Sequence, residues 1–231
     1  MAQRLSPSEV VARLKQAVMN GDPDEVLRLS RLALELGVDP LEAIERGLVA
    51  GVLEVGDMWV RGEAFIADLV AAADAMKAGL SVLKEEVVKR GAKIKYRGRV
   101  VIGTVEGDIH DIGKSLVATM LEAAGFEVID LGVDVPAEKF VEAIEKYEPD
   151  VVALSALMTT TMLKQREVIK AIEKAGYRSR VKVVVGGAPT SEEWAREIGA
   201  DGWAPDAVSA VELVKKLLGS RKEAGGGSGE A

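Results

Sequence analysis

The chain of 231 residues contains no cysteine, a single histidine and few aromatic side chains, which make up 4% of it. Without cysteine it has no disulfide, no thiolate ligand for a metal and no cysteine nucleophile, a composition that fits a reducing compartment. It also lacks the run of about 18 apolar residues that a membrane span needs, and its N-terminus lacks the apolar core of a signal peptide. These absences predict a cytoplasmic protein.

Positively charged residues are also outnumbered: the chain has 37 acidic residues and 30 lysines and arginines, which gives a formal net charge of −7. Such a field repels phosphate backbones and anionic lipid surfaces, so neither nucleic acid nor a membrane is an expected partner. Hydrophobic residues make up 48% of the chain, enough for one or two domains with their own cores.

The first 90 residues repeat one helix-start signal, in which a capping side chain precedes a proline and a glutamate that reaches back to the cap. Apolar residues then recur at helical spacing, and they do so again from Ala64 to Lys89. The pattern predicts a four-helix bundle over residues 1–90. The three signals are Ser6-Pro7-Ser8-Glu9, Asp22-Pro23-Asp24-Glu25 and Asp39-Pro40-Leu41-Glu42.

After a linker predicted at residues 91–98, short β-branched runs alternate with helical segments. This alternation predicts an α/β domain over residues 99–218, with a parallel, Rossmann-like (flavodoxin-like) sheet covered by helices on both faces. The composition of residues 219–231 predicts a flexible tail. The runs are 100–105, 126–132, 150–157, 181–187 and, more weakly, 200–204.

The only histidine, His110, follows the first strand run, at the sheet edge where ligands of such domains bind. One imidazole without cysteine cannot hold a bare zinc or copper ion, which takes three or four protein ligands. The histidine could instead cap the helix that follows it. Glu106, Asp108 and Asp111 could form an acidic magnesium pocket, as in phosphoacceptor domains of similar topology. That pocket needs an aspartate at the end of the third strand, where Leu154-Ser155 stands.

Three short elements follow three strand runs: residues 108–113 (DIHDIG), 155–157 (SAL) and 186–187 (GG). In this order and spacing they resemble the signature of cobalamin-binding domains that hold the cofactor with its nucleotide tail detached. Residues 55–83 resemble the helical cap that precedes such a domain in cobalamin-dependent methionine synthase. The same cap is found in corrinoid proteins of methanol, methylamine and aryl-ether methyltransferase systems.

The resemblance implies a metal ligand and its supports. A corrin ring supplies four nitrogens to cobalt, so the protein adds one axial donor, which is compatible with a single histidine. His110 is then the lower axial ligand, Asp108 fixes its other ring nitrogen, and the hydroxyl of Thr161 supports Asp108. For Thr161 the plain alternative is a helix N-cap.

The resemblance also implies residues that touch the cofactor or its buried tail. Gly186 and Gly187 would let the backbone approach the tail, although a plain strand-ending turn is the alternative. Gly113 would allow close packing at the first helix of the domain, and Lys114 is expected to be solvated. The implied contact residues are Gly107, Asp108, Asp111, Gly113, Ser155, Leu157, Thr159, Thr161, Gly186, Gly187 and Ala207.

In the cap, Met58, Trp59, Phe65 and Leu69 are the candidates to shield the upper face of the cofactor from water and oxidant. The alternative is that they are bundle core, which is typical of methionine and aromatic residues at helical spacing. Both methyl donor and acceptor need that face of cobalt, so the cap must move, and residues 90–98 are the expected hinge.

The function implied is that of a corrinoid protein carrying a methyl group between two enzymes. It would cycle between cob(I)alamin and methylcobalamin, taking the methyl group at a substrate-specific methyltransferase. It would deliver that group at a second, acceptor-side methyltransferase, to a folate or a thiol. A reductive activating protein is a further expected partner. A chain of 231 residues has no barrel to bind the methyl donor, so it would not be catalytic alone. The alternatives are a cobalamin-dependent sensor and the small subunit of an adenosylcobalamin mutase.

Overall fold

The computed structural model describes residues 5–90 and 96–225, with the side chains of the last helix described as far as residue 219. The chain divides into two compact units, Met1–Lys95 and Tyr96–Ala231. Most of the predicted linker, residues 91–95, lies outside the described residues. No helix within the described ranges combines the length and the apolarity that a membrane crossing demands.

The first unit is helical, and its helices pack on one another around buried leucines and a methionine, including Leu14, Leu29, Leu48 and Met76. The helix that begins at Pro40 continues through a π-helical segment into a further α-helix, so the described residues of this unit form four helical rods and the predicted bundle is confirmed. The elements are α1 (Pro7–Met19), α2 (Pro23–Glu35), α3 (Pro40–Glu42), the π-helical segment (Ala43–Val49), α4 (Ala50–Val60) and α5 (Ile66–Lys89).

The three predicted helix starts are confirmed, each with its proline at the first helical position. Ser6 forms the complete capping box: its hydroxyl accepts the N–H of Glu9 at 3.3 Å, and the Glu9 carboxylate accepts the N–H of Ser6 at 2.8 Å. Asp22 and Asp39 cap α2 and α3 through their carboxylates.

The prediction that a glutamate side chain accepts a hydrogen bond from the main-chain N–H of the N-cap residue is wrong for α2 and α3. Glu25 instead accepts two hydrogen bonds from Arg28, each of 2.6 Å, and Glu42 accepts one from Arg46 at 2.8 Å. An arginine one turn away offers a charge-assisted bond, which is stronger than a bond from a neutral main-chain N–H.

Glycines set how closely the bundle helices approach. A Cβ on Gly47 would lie 2.7 Å from Leu14 Cδ2, and one on Gly51 would lie 2.7 Å from Val18 Cβ. Any larger side chain at either position would therefore push α1 away from the helix that begins at Pro40. The periodicity predicted an ordinary α-helix here and missed the π-helical segment.

The second unit contains a sheet flanked by helices. Its strands are β1 (Arg99–Thr104), β2 (Glu127–Asp130), β3 (Val151–Ser155), β4 (Lys182–Gly186) and β5 (Gly202–Ala204). Its helices are α6 (Ile112–Ala123), α7 (Ala137–Tyr147), α8 (Thr159–Lys174), α9 (Glu192–Ile198) and α10 (Ala207–Gly225). The sheet is parallel with strand order β2-β1-β3-β4-β5, so the predicted Rossmann-like fold is confirmed. Helix α6 packs on α10, whereas α7 packs on α8, so helices cover both faces of the sheet.

Strand register brings the carboxyl ends of the central strands level. Thr104 at the end of β1 pairs with Ser155 at the end of β3, which pairs with Gly186 at the end of β4. The motif segments that follow these strands therefore share one edge of the sheet. Helix α10 extends to Gly225 and so overlaps the start of the predicted tail, whose boundary at residue 219 stays a prediction; residues 226–231 lie outside the described residues.

Candidate cofactor-binding site

The candidate site is built on the loop that leaves β1 and enters α6, residues 105–111. Gly107 begins the turn with a φ of 79°, a left-handed conformation that glycine adopts without strain. Its N–H donates to the carboxylate of Asp134 at 2.7 Å, and the N–H of Asp134 donates to the carbonyl of Asp108 at 2.9 Å. The loop is thus bonded to the segment that follows β2.

Asp108 lies at the centre of the site and is fully buried. Its Oδ1 accepts a hydrogen bond from His110 Nδ1 at 2.7 Å and one from the His110 main-chain N–H at 3.1 Å. Its Oδ2 accepts one from the Thr161 hydroxyl at 2.6 Å and one from the Leu157 N–H at 2.7 Å. One carboxylate therefore joins the β1–α6 loop to the segment between β3 and α8.

These four donors decide the charge of the carboxylate. Burial alone raises the pKa of Asp108, but the bonds from Thr161, Leu157 and His110 favour the ionised form and hold the pKa well below its usual range. Both oxygens are occupied by protein donors, so the carboxylate has no free position for a magnesium ion. In the described residues no cluster of His, Asp or Glu could hold a metal ion by itself.

His110 presents its ring outward from this buried anchor. Because a carboxylate only accepts, the neutral imidazole carries its proton on Nδ1, and Nε2 keeps its lone pair. The His110 side chain is 49% exposed, so the imidazole is accessible to a ligand. Asp111, not the histidine, occupies the N-cap position of α6, and the His110 ring bonds Asp108 instead, so the alternative role of His110 as a helix cap is wrong.

Thr161 occupies the third residue of α8, where Met158 is the N-cap position. The Met158 N–H donates to the Thr161 hydroxyl at 3.3 Å, and the hydroxyl donates to Asp108. The alternative of Thr161 as N-cap is therefore wrong. The structure brings Asp108, His110 and Thr161 together as one hydrogen-bonded set.

The other implied contact residues lie at or near the same edge. Ser155 is half-buried at the end of β3, Leu157 and Thr159 are exposed at the start of α8, and Ala207 is buried at the start of α10. Gly187 has a φ of 118°, and a Cβ there would lie 1.8 Å from the Ala156 carbonyl oxygen. The close approach of the Ala156 carbonyl, just after β3, therefore requires a glycine at position 187 even without a bound cofactor.

Two expectations about α6 are wrong. A Cβ on Gly113 would meet nothing within 4 Å, so packing inside the chain is not the reason for this glycine. Lys114 is 3% exposed, and it forms ion pairs with Asp111, at 2.8 Å, and with Asp130. A lysine with two carboxylate partners can be buried, which the sequence alone does not indicate.

The site also carries exposed apolar side chains, of which the sequence indicated only Leu157. Ile109 is 75% exposed and Ile112 is 73% exposed, and Leu157 and Met158 are partly exposed. Large apolar side chains in water are a sign of a surface that something else covers. For Ile109 and Ile112 the available signal was their position on either side of His110 in the motif.

The predicted cap residues divide between exposed and buried positions in the helical unit. Phe65 is 76% exposed at the start of α5, whereas Leu69 on the same helix is 1% exposed. Met58 and Trp59, near the end of α4, are half-buried. Burial of this kind makes Leu69 part of a packed core, whereas Phe65 is free to meet a ligand.

Comparison with known proteins gives a consistent picture. Residues 98–212 and residues 10–84 match two B12 binding domain families. A corrinoid protein of Desulfitobacterium hafniense is 48% identical over 207 residues, covering 89% of this chain and 96% of that protein. Trimethylamine corrinoid protein 1 of Methanosarcina mazei is 46% identical, covering 91% and 97%. The crystal structure of the methanol:cobalamin methyltransferase complex of Methanosarcina barkeri matches with a TM-score of 0.79 and 31% identity, covering 94% of this chain and 86% of that one.

Proposed function

The chain belongs to the corrinoid protein family built from B12 binding domains, and on that premise we propose that it carries a methyl group between two methyltransferases. When bound, cobalamin supplies a cobalt that accepts a methyl group from a donor and gives it up to an acceptor. The chain's own residues would hold the corrin, supply one ligand and keep water away.

The observation that carries the proposal is the outward imidazole of His110 on a buried, ionised Asp108. A corrin brings four nitrogens of its own, so the one histidine present completes the ligand set. The exposed Ile109 and Ile112 offer an apolar surface for a macrocycle. Gly113 fits the same group, because a helical glycine without a packing reason in its own chain leaves room for something outside it.

In this proposal His110 is the lower axial ligand. Asp108 fixes the ring nitrogen that faces the protein and raises the basicity of the nitrogen that faces the metal. The Thr161 hydroxyl and the Leu157 N–H hold Asp108 in place. A protein ligand at the lower position displaces the cofactor's own nucleotide base, so the tail would be detached.

The detached tail needs a slot of its own, which we propose at the ends of β3 and β4. Ser155 and Thr159 would offer hydroxyls to it, and Gly186 would allow its close approach. Ala207, at the start of α10, would complete the contact set. In the helical unit, Met58, Trp59 and Phe65 are proposed as the shield of the cofactor's upper face, with Phe65 as the residue most able to touch it, whereas the buried Leu69 fits the alternative of bundle core.

The partners follow from the same reasoning. The named relatives point to a substrate-specific methyltransferase as the loading partner, and the trimethylamine relative, at 46% identity, favours a methylated amine as donor over methanol. A second methyltransferase that passes the group to a folate or thiol would complete the cycle, with a reductive activating protein to rescue oxidised cobalt.

The test is methylation of the reconstituted chain. Apoprotein is loaded with cobalamin, reduced, and mixed with a trimethylamine methyltransferase and its amine, while the visible spectrum follows loss of the reduced cofactor. We expect methylation by wild type and a large loss of rate in His110→Ala. Equal rates in the two proteins would overturn the role of His110, and failure of wild type with a panel of methylated amines and methanol would overturn the function.

A further inference from the structure

A second anchor holds His110, and it comes from a residue that the ligand set does not contain. The hydroxyl of Thr104 donates a hydrogen bond of 2.9 Å to the main-chain carbonyl of His110. Asp108 binds the ring and the N–H of the same residue. The two polar main-chain groups of His110 are therefore held by two different side chains.

Thr104 is itself one of the most firmly held residues of the site. It is the last residue of β1 and is fully buried. Its N–H donates to the carbonyl of Gly132 and its carbonyl accepts from Val135, each at 3.0 Å, so the neighbouring segment fixes its main chain. The hydroxyl is consequently a donor at a constant position relative to the sheet.

His110, in contrast, has little packing to hold it. Its ring is about half exposed and lies on a loop, so hydrogen bonds rather than neighbours determine where Nε2 points. Asp108 fixes the ring relative to the β3–α8 segment through Thr161 and Leu157. Only the bond from Thr104 ties the carbonyl of His110 to β1. Without it, the His110 carbonyl loses its hydrogen bond to the sheet, and the position of the residue is fixed by Asp108 and by the start of α6 alone.

We propose that Thr104 is a positioning residue that sets the reach of the His110 imidazole toward the metal. This inference rests on the proposed role of His110 as lower ligand. Thr104 is fully buried, and its proposed action is indirect: it holds the histidine main chain against the sheet. Metal ligation tolerates only small displacements of a ligand, so loss of the anchor weakens coordination more than it weakens folding.

The chain offers a matched control. Thr119 on α6 is also fully buried, and its hydroxyl also donates at 2.9 Å to a main-chain carbonyl, that of Ser115. Thr104→Val and Thr119→Val each remove one buried hydroxyl while keeping the shape of the side chain. They differ in whether the lost bond reaches His110. Thr104→Ser, which keeps the hydroxyl, serves as the rescue.

The probe is diaquocobinamide, a corrinoid without a nucleotide tail, whose lower ligand must come from the protein. Its binding to the full-length apoprotein is titrated by the visible spectral change on imidazole coordination. We expect Thr104→Val to raise the dissociation constant about three- to tenfold, since one hydrogen bond is lost. Thr119→Val and Thr104→Ser should stay within about twofold of wild type, while both valine variants lose similar thermal stability.

The outcomes separate the two levels of the proposal. Wild type that shows no coordination by imidazole contradicts the ligand role of His110, and the inference about Thr104 falls with it. Coordination in wild type with equal dissociation constants for Thr104→Val and Thr119→Val overturns the inference alone. If the valine variant of Thr104 does not fold, Thr104→Ala paired with Thr119→Ala asks the same question by the same titration.

Discussion

At the scale of single residues, Asp108 determines the properties of the site. It is buried, yet four donors make the charged form the stable one. The carboxylate can therefore stay ionised next to an imidazole and orient it without needing a solvent contact. A buried amide in its place would offer its NH₂ group to donors and would satisfy only part of this set.

The depressed pKa of Asp108 makes stability depend on pH in a defined direction. In the unfolded chain the carboxyl binds a proton near pH 4, whereas in the folded chain it stays ionised to lower pH. Its contribution is thus complete above about pH 4 and is lost as the pH falls toward the folded-state pKa.

Asp108→Asn should therefore cost most near neutral pH. We expect its difference from wild type in free energy of unfolding to shrink by about 2 kcal/mol between pH 6 and pH 2, measured on apoprotein by denaturant titration. A difference that stays constant over this range would show that the carboxyl is not held ionised by its neighbours.

The residues of the site differ in how far the sequence reveals them. His110 and Asp108 lie two positions apart in one motif, and Thr161 was placed by resemblance; the structure brings all three together. The Leu157 N–H and the Thr104 hydroxyl were not predicted. Each bond involves a main-chain group, which every residue type offers, so the sequence does not indicate it. Only the fold shows which carbonyl a buried threonine faces.

At the scale of elements, the start of α6 is held by charge. Lys114 links Asp111, the N-cap of α6, to Asp130 at the end of β2. The two ion pairs of Lys114 connect the start of α6 to the edge strand β2. His110 directly precedes Asp111, so this connection lies next to the histidine. The sequence predicted a solvated lysine, since lysines are mostly exposed and the two partner carboxylates meet only in the folded chain.

Lys114→Met tests this bridge, with Lys139→Met as control. Lys139 pairs with Glu142 across one turn of α7, but both side chains are largely exposed. We expect Lys114→Met to lower the free energy of unfolding by about 1–3 kcal/mol, because buried charge-assisted bonds are lost. Lys139→Met should cost less than about 0.5 kcal/mol, as surface ion pairs contribute little. Equal costs in urea titrations would argue against a structural role for the Lys114 bridge.

The elements themselves were the part most readily predicted. Alternating β-branched runs and helical segments determine the order of strands and helices, and the cap signals with proline mark three helix starts. The π-helical segment was missed because the apolar spacing of residues 43–49 is also that of an ordinary α-helix. The close approach of α1 at Gly47 and Gly51 is a tertiary contact, which local pattern does not show either.

At the scale of the whole molecule, the family assignment covers both units, residues 10–84 and 98–212. The exact domain boundaries and the hinge at residues 90–98 stay predictions. The helical unit is nevertheless expected to take part in the chemistry, because Phe65 is exposed and does not contribute to the core of the bundle.

Phe65→Ala should therefore speed the oxidation of the reduced cofactor with little loss of stability. Leu69→Ala should instead destabilise the helical unit by about 2–5 kcal/mol, as leucine truncation does in a core. Stopped-flow mixing with oxygen and thermal unfolding of the same proteins measure both effects. An oxidation rate of Phe65→Ala equal to that of wild type would remove Phe65 from the proposed shield.

The central claim is that the one histidine of the chain is the protein's ligand to cobalt. The most direct test is an electron paramagnetic resonance spectrum of the reconstituted protein in the Co(II) state, with histidine in natural abundance and labelled with nitrogen-15. We predict splitting by one axial nitrogen, changing from three lines to two on labelling and disappearing in His110→Ala. A splitting that labelling leaves unchanged would contradict the claim, because the axial nitrogen would then belong to the cofactor's own base.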